Sequence, residues 1–173
     1  MNRDIVINIA RYLLLSLVQV LLLDQVNLWS QYSPQLYILF ILLLPFETPG
    51  WALLLSSFMA GFTIDLFNGT PGLHASAATI AGFLRPPVLR LLAPSGEYGP
   101  GTKPIIRDMG FRWFISYSFI ISLVFHFALL WVELFEWSSL LQVIPQAIVA
   151  TIFTTLLIIL VAVIFSSGKT SRR

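Results

Sequence analysis

The placement of basic residues limits how this chain can fold. All ten Lys and Arg fall in three places: the first eleven residues, the segment 85–112 and the last five residues. Long apolar stretches fill the intervals, because 57% of the residues are hydrophobic and 10% are charged. So few polar side chains cannot cover a soluble globule of 173 residues. The sequence therefore predicts a single integral membrane domain over residues 1–173.

Apolar stretches of about 20 residues are long enough to cross a bilayer as helices. On this criterion we expect an all-α integral membrane protein with six transmembrane helices. The predicted spans are 9–28, 35–47, 50–67, 73–92, 111–132 and 140–165, with a loop over 93–110. The second span is short and is interrupted at Pro45, so five spans are the alternative.

Charge placement favours six spans over five. Lys and Arg concentrate in the cytoplasmic segments of membrane proteins, so we expect both termini and the basic loop in the cytoplasm. An even number of crossings must then separate the N-terminus from residue 85, and another even number must separate residue 112 from the C-terminus. Four spans followed by two satisfy both conditions, whereas a single helix over 35–67 would place the basic loop outside.

The residue types exclude several kinds of chemistry. The chain has no Cys and only two His, which excludes disulfides and Cys-ligated metals. The sequence shows no paired catalytic groups, phosphate-binding glycine loop or metal-ligand spacing. We therefore expect no enzymatic activity, no cofactor, no metal site and no nucleic-acid partner. His126 lies within an apolar span, where we expect a buried histidine with a partner such as Ser122, a backbone carbonyl or a glutamine of the last helix.

Asp65 lies near the end of the apolar run that begins at Trp51. Because an aspartate at the centre of a span costs about 2.5–3.5 kcal/mol on insertion scales, it needs a polar partner. The turn-forming residues 68–72 reverse the chain and bring the free N–H groups of the fourth helix to the carboxylate. We expect Asp65 to fasten this hairpin, helped by Asn68 or Thr70. A ligand-binding or proton-binding carboxylate is the alternative.

Small residues around Asp65 predict that the third and fourth helices pack closely. Ser57, Gly61, Asp65 and Gly69 recur at every fourth residue, and small side chains at this spacing let transmembrane helices approach one another. The fourth helix carries its own small residues, which are Ala75, Ala78, Ala81 and Gly82. We therefore expect Asp65 to face a helix interface rather than lipid.

The run FMAGFTIDLFNGTPGLHA, preceded by LLLPFETPGWALLL, resembles MreD, a family of bacterial rod-shape-determining membrane proteins. Gly61, Asp65, Gly69 and Gly72 fall on the pattern of that family. With Asn68, they form the candidate structural or binding motif.

The resemblance implies a fold similar to the substrate-binding subunits of energy-coupling-factor transporters, and a location in the bacterial inner membrane. It implies a non-enzymatic role in organising side-wall peptidoglycan synthesis in the cell-shape, or elongation, complex. The implied partners are MreC, the actin-like MreB, RodA and a class B transpeptidase, in addition to the lipid bilayer.

The alternative function is a small-solute-binding subunit of a vitamin-type transporter, to which the implied fold is similar. Two features argue against it. The first helix lacks the small-residue spacing by which such subunits meet their transport partner, and the predicted outer loops are too short to form a lid.

Overall fold

The computed structural model describes residues 2–25, 33–94, 98–99, 101–134 and 140–167. The regular structure of these residues is helical, without strands. The helices are α1 (Asn2–Val18), which continues as a π-helix over Gln19–Leu23, α2 (Ile38–Leu42), α3 (Gly50–Asn68), α4 (Leu73–Leu92), α5 (Ile106–Met109), α6 (Phe111–Leu134) and α7 (Leu140–Ser167).

Four helical stretches are long and apolar enough to cross a membrane: Ile5–Leu23, Gly50–Asn68, Phe111–Leu134 and Val143–Phe165. Large apolar side chains such as Leu17 of α1 and Leu160 of α7 are exposed on their outer faces. Contiguous apolar surfaces of this kind are stable in lipid rather than in water. The chain is therefore a helical protein of membrane type.

Helices α3, α6 and α7 agree with the predicted spans 50–67, 111–132 and 140–165 to within two residues. The first helix begins at Asn2, seven residues before the predicted start at residue 9. Residues 26–28 of that predicted span lie outside the described part of the chain.

The predicted spans 35–47 and 73–92 take other forms. α4 covers 73–92, continues through Pro86 and Pro87, and packs between α3 and α6. Its polar residues make it less apolar than the four candidate spans. The segment 35–47 contains only the five-residue helix α2, and each residue of α2 is buried.

The buried helix α2 depends on other helices for its hydrogen bonds. A short helix leaves most of its backbone groups without partners, and irregular backbone at membrane depth is tolerated only inside protein. At the start of the segment, Gln19 Oε1 accepts from Leu36 N at 2.7 Å, and Gln19 Nε2 donates to Pro34 O at 3.2 Å. Thr154 Oγ1 of α7 accepts from Gln35 N at 3.0 Å.

Arg85 supplies hydrogen-bond donors to the backbone at the other end of the segment. It lies within α4, inside the predicted span 73–92, and is 1% exposed, although the charge pattern grouped it with the basic residues of the cytoplasmic side. Its terminal nitrogens donate to the carbonyls of Leu44 and Pro45. Its Nε donates to the hydroxyl of Tyr117 at 2.7 Å, and that hydroxyl donates to Leu42 O at 3.2 Å. A cation at a helix C-terminus also interacts favourably with the helix dipole.

Candidate functional site

Asp65 lies in the last turn of α3 and is buried. Its Oδ1 accepts hydrogen bonds from Thr70 Oγ1 at 2.9 Å, from His74 N at 2.9 Å and from His74 Nδ1 at 3.0 Å. Its Oδ2 accepts from Gly72 N at 3.1 Å and from Ala75 N at 2.9 Å. These donors occupy the roughly four lone-pair positions of a carboxylate. Asp65 therefore joins the end of α3 to the start of α4, as its position in the sequence predicted.

Two glycines build the turn between these helices. Gly69 follows the last residue of α3 with φ of 67°, and Gly72 precedes the first residue of α4 with φ of 86°. Side chains with a Cβ rarely adopt such left-handed backbone angles, which glycine adopts readily. The two glycines therefore permit the reversal that brings the start of α4 to Asp65.

The two residues expected to help Asp65 have different partners. Thr70 contacts Asp65, whereas Asn68 Nδ2 donates to Asp24 Oδ2 at 3.0 Å. Asp24 Oδ1 also accepts from Gln19 Nε2 at 2.7 Å. Asn68 therefore joins the hairpin to the end of the first helix rather than strengthening the contacts of Asp65.

The small residues bring α3 and α4 into close contact. A Cβ on Gly61 would lie 2.6 Å from Ala75 Cα and would overlap the carbonyl of His74. A Cβ on Gly82 would lie 2.9 Å from Ser57 Cβ. The predicted close packing is confirmed, and Asp65 faces the interface between the two helices.

His126 of α6 is buried and has partners at both ring nitrogens. Its Nδ1 lies 2.8 Å from Ser122 O, and its Nε2 lies 3.3 Å from Thr154 Oγ1. Because a carbonyl only accepts, Nδ1 carries the proton and Nε2 accepts from the Thr154 hydroxyl. The expectation of a satisfied buried histidine is confirmed. Its partner on the last helix is a threonine, whereas the sequence suggested a glutamine.

A polar cavity of about 400 Å³ lies at the Asp65 end of the bundle. The end of the first helix, the segment before α2, the α3–α4 turn and the adjoining parts of α6 and α7 form its walls. Its ionisable lining residues are Asp24, His74, His126 and Glu133. The sequence offered one signal for this site, since Asp24 and Glu133 each end an apolar run far from any Lys or Arg.

His74 connects Asp65 of the motif to the polar cavity. Through Nδ1 it contacts Asp65, and the same residue lines the cavity. Asn68 and Thr70 also line the cavity, whereas Gly61 lies at the helix interface away from it. In the described part of the chain, no three His, Asp or Glu residues form a group that could hold a metal ion.

A second cavity, of about 510 Å³, is apolar and lies between α4, α6 and α7. Ile80, Phe127 and Ile148 are among its lining residues.

Comparison of the chain with protein-family models, with curated proteins and with solved structures finds no match in any of the three.

Proposed function

We propose that this chain is a non-enzymatic component of the bacterial cell-shape complex, of the MreD kind, and helps organise side-wall peptidoglycan synthesis. The observation that carries the proposal is the hydrogen bonding of Asp65 to the start of α4. Gly61, Asp65, Gly69 and Gly72, on which the resemblance depends, all serve this one hairpin. A rigid hairpin between packed helices suits a membrane protein whose role is to bind other proteins.

The hydrogen bonds that Asp65 accepts also support a non-enzymatic role. A general base must accept a proton from its substrate through a free lone pair. The donors around Asp65 occupy both of its oxygens, so the carboxylate has no free position at which to act as a base.

We further propose six crossings, with both termini in the cytoplasm of a bacterium and the chain in the inner membrane. The segment that contains α2 begins beside the polar cavity at Gln35 and ends against Arg85, farther along α4. α4 runs back along α3, to which it is closely packed. These directions support counting both segments as crossings, in a fold like that of the energy-coupling-factor subunits.

The absence of cysteine allows a direct test of this topology. Single substitutions Pro71→Cys, in the α3–α4 turn, and Thr102→Cys, in the basic loop, create one thiol each. A membrane-impermeant maleimide is expected to label the first in intact spheroplasts and the second only after lysis. The proposal places one crossing, α4, between the two thiols. Labelling of both from the same side of the membrane would therefore contradict it.

The proposed partners are MreC, MreB, RodA and a class B transpeptidase. In this proposal the chain docks their transmembrane helices and couples the cytoplasmic MreB filament to wall synthesis outside the membrane. The outward face of α1, which exposes Ile9, Leu13 and Leu17, offers an apolar surface for such helices.

Conditional depletion in the host tests the function. We expect cells to widen or round and new wall material to be inserted at dispersed sites, as followed by microscopy with a fluorescent wall precursor. Re-expression of the native chain should restore cell width. Unchanged shape after complete depletion would contradict the proposal.

The polar cavity favours a second candidate function, a small-solute-binding subunit of a vitamin-type transporter. Pockets of several hundred Å³ with convergent polar groups are typical of small-molecule sites. A growth defect that one added nutrient rescues, without any change of shape, would support this function over the first.

A further inference from the structure

We propose that the polar cavity binds a small organic cation, a molecule that carries one or two protonated amines. This inference concerns the cavity alone and does not depend on a role in cell shape. The volume of about 400 Å³ lies within the range of small-molecule sites, which is roughly 300–1,000 Å³.

The negative charge of the cavity lining favours binding of a cation. Asp24 and Glu133 line the cavity, and Asp24 accepts hydrogen bonds from the neutral amides of Gln19 and Asn68. The sequence has no Lys or Arg over residues 12–84 or 113–168, so the helices that form the walls bring no basic side chain to this end. Near a membrane interior, two carboxylates without a countercharge attract a cation more strongly than in bulk water.

His74, which lines the cavity, also has an acceptor atom without a hydrogen-bond donor in the described part of the chain. The His74 side chain is 8% exposed, and its Nδ1 donates to the carboxylate of Asp65. In the neutral ring Nε2 is then an acceptor. Within the described residues, Nε2 has no hydrogen-bond donor. A ligand in the cavity that donates a hydrogen bond can therefore bind at Nε2.

Gln35 carries a second acceptor without a donor in the described structure, and this one is buried. The residue is 5% exposed, and it lines the cavity. Its Nε2 lies 3.4 Å from Ser33 O, which can only accept, so the amide orientation is fixed. Its Oε1 has no donor among the described residues.

The groups of the cavity lining that lack a countercharge or a donor therefore share one property, because they all accept hydrogen bonds. They are the carboxylates of Asp24 and Glu133, Nε2 of His74 and Oε1 of Gln35. An ammonium group offers three donors and a positive charge, which matches this set. An anion would be repelled by the carboxylates.

Binding of matched probes to the full-length protein tests the proposal. We would use cadaverine, a diamine, with pentanediol and glutarate as neutral and anionic molecules of the same chain length. The protein is placed in phosphatidylcholine nanodiscs, whose lipid carries no net charge, and binding is measured by titration calorimetry near neutral pH. We expect saturable binding of cadaverine and no binding of the other two.

Glu133→Gln and Glu47→Gln form the matched pair of variants. Both residues are exposed, but Glu47 precedes α3 and so lies at the end opposite to Asp65, about 28 Å away along a 19-residue helix. Glu133→Gln is expected to weaken cadaverine binding about ten-fold or more, because a close charge pair is lost. Glu47→Gln should leave the affinity unchanged.

Three results would overturn the proposal. The first is the absence of saturable cadaverine binding to the native protein. The second is equal binding of pentanediol, which would show that charge is not recognised. The third is equal weakening by the two variants, which would show that cadaverine is attracted to the protein surface in general. The exposed position of Glu133 keeps the test independent of folding.

Discussion

Arg85 Nε lies 2.7 Å from the hydroxyl oxygen of Tyr117 in the interior of the helix bundle. The same hydroxyl donates to Leu42 O, and the terminal nitrogens of Arg85 donate to Leu44 O and Pro45 O. Arg85 and Tyr117 thus act together as the C-terminal cap of α2, and the hydrogen bond between them joins their two sets of contacts.

Replacing Arg85 should destabilise the protein strongly. Arg85→Met leaves two carbonyls and one hydroxyl without their donor, and each buried unpaired group costs about 1–3 kcal/mol. We expect a loss of about 3 kcal/mol or more in the free energy of unfolding, measured by denaturant titration in detergent. Arg90→Met is the control, because Arg90 lies on the same helix and is exposed. Equal stability of the two variants would refute the capping role.

Two threonines of α7 should respond oppositely to the same change. The hydroxyl of Thr154 serves Gln35 N and His126 Nε2, whereas the hydroxyl of Thr151 has no partner in the described residues. Thr154→Val should therefore lower the free energy of unfolding by about 1–3 kcal/mol, and Thr151→Val should leave it unchanged or raise it. Thermal unfolding of the purified variants provides the comparison. A larger loss at Thr151 than at Thr154 would contradict the hydrogen-bond assignment.

Adding a methyl group at two glycines should distinguish backbone contacts from side-chain contacts. In Gly61→Ala the new Cβ meets the backbone of His74 and Ala75, so the helices must separate at a cost of about 1–3 kcal/mol. In Gly82→Ala the new Cβ meets the side chain of Ser57. The added change Ser57→Gly should therefore restore stability to Gly82→Ala, and should give no such rescue to Gly61→Ala. The unfolding midpoints of the single and double variants measure this difference, and rescue of both glycine variants would be inconsistent with the backbone contact.

Substitutions of Asp65 should lower stability in a graded manner. Both oxygens of Asp65 accept from N–H groups. Asp65→Asn places an amide nitrogen against such donors and should lower the free energy of unfolding by about 2 kcal/mol. Asp65→Leu leaves all the donors unpaired and should lower it further. Membrane abundance and thermal midpoint should both fall in the order native, Asn, Leu. Glu133→Gln is the control, and a Leu variant with native abundance would exclude the fastening role.

The sequence predicted the contacts of Asp65 because its partners follow it by only five to ten residues. A polar side chain, a glycine-rich turn and a helix start then leave few other arrangements. The hydrogen-bond partners of the segment around α2 could not be predicted, because they are distant in the sequence. Gln35 and Thr154 are 119 residues apart, and Leu44 and Arg85 are 41 apart. Arg85 shows the limit clearly, since the charge pattern grouped it with the cytoplasmic basic residues, and it is instead buried against the carbonyls that follow α2.

The hydrogen bonds of the segment around α2 have a consequence for synthesis of the chain. The segment 33–45 leaves the ribosome long before Tyr117 and Thr154, which complete its hydrogen bonds. Until those residues enter the membrane, part of its backbone lacks the native partners that lipid cannot replace. We therefore expect this segment to stay within the insertion machinery, or otherwise hydrated, until α7 arrives. Its final assembly step thus joins a late part of the chain to an early one.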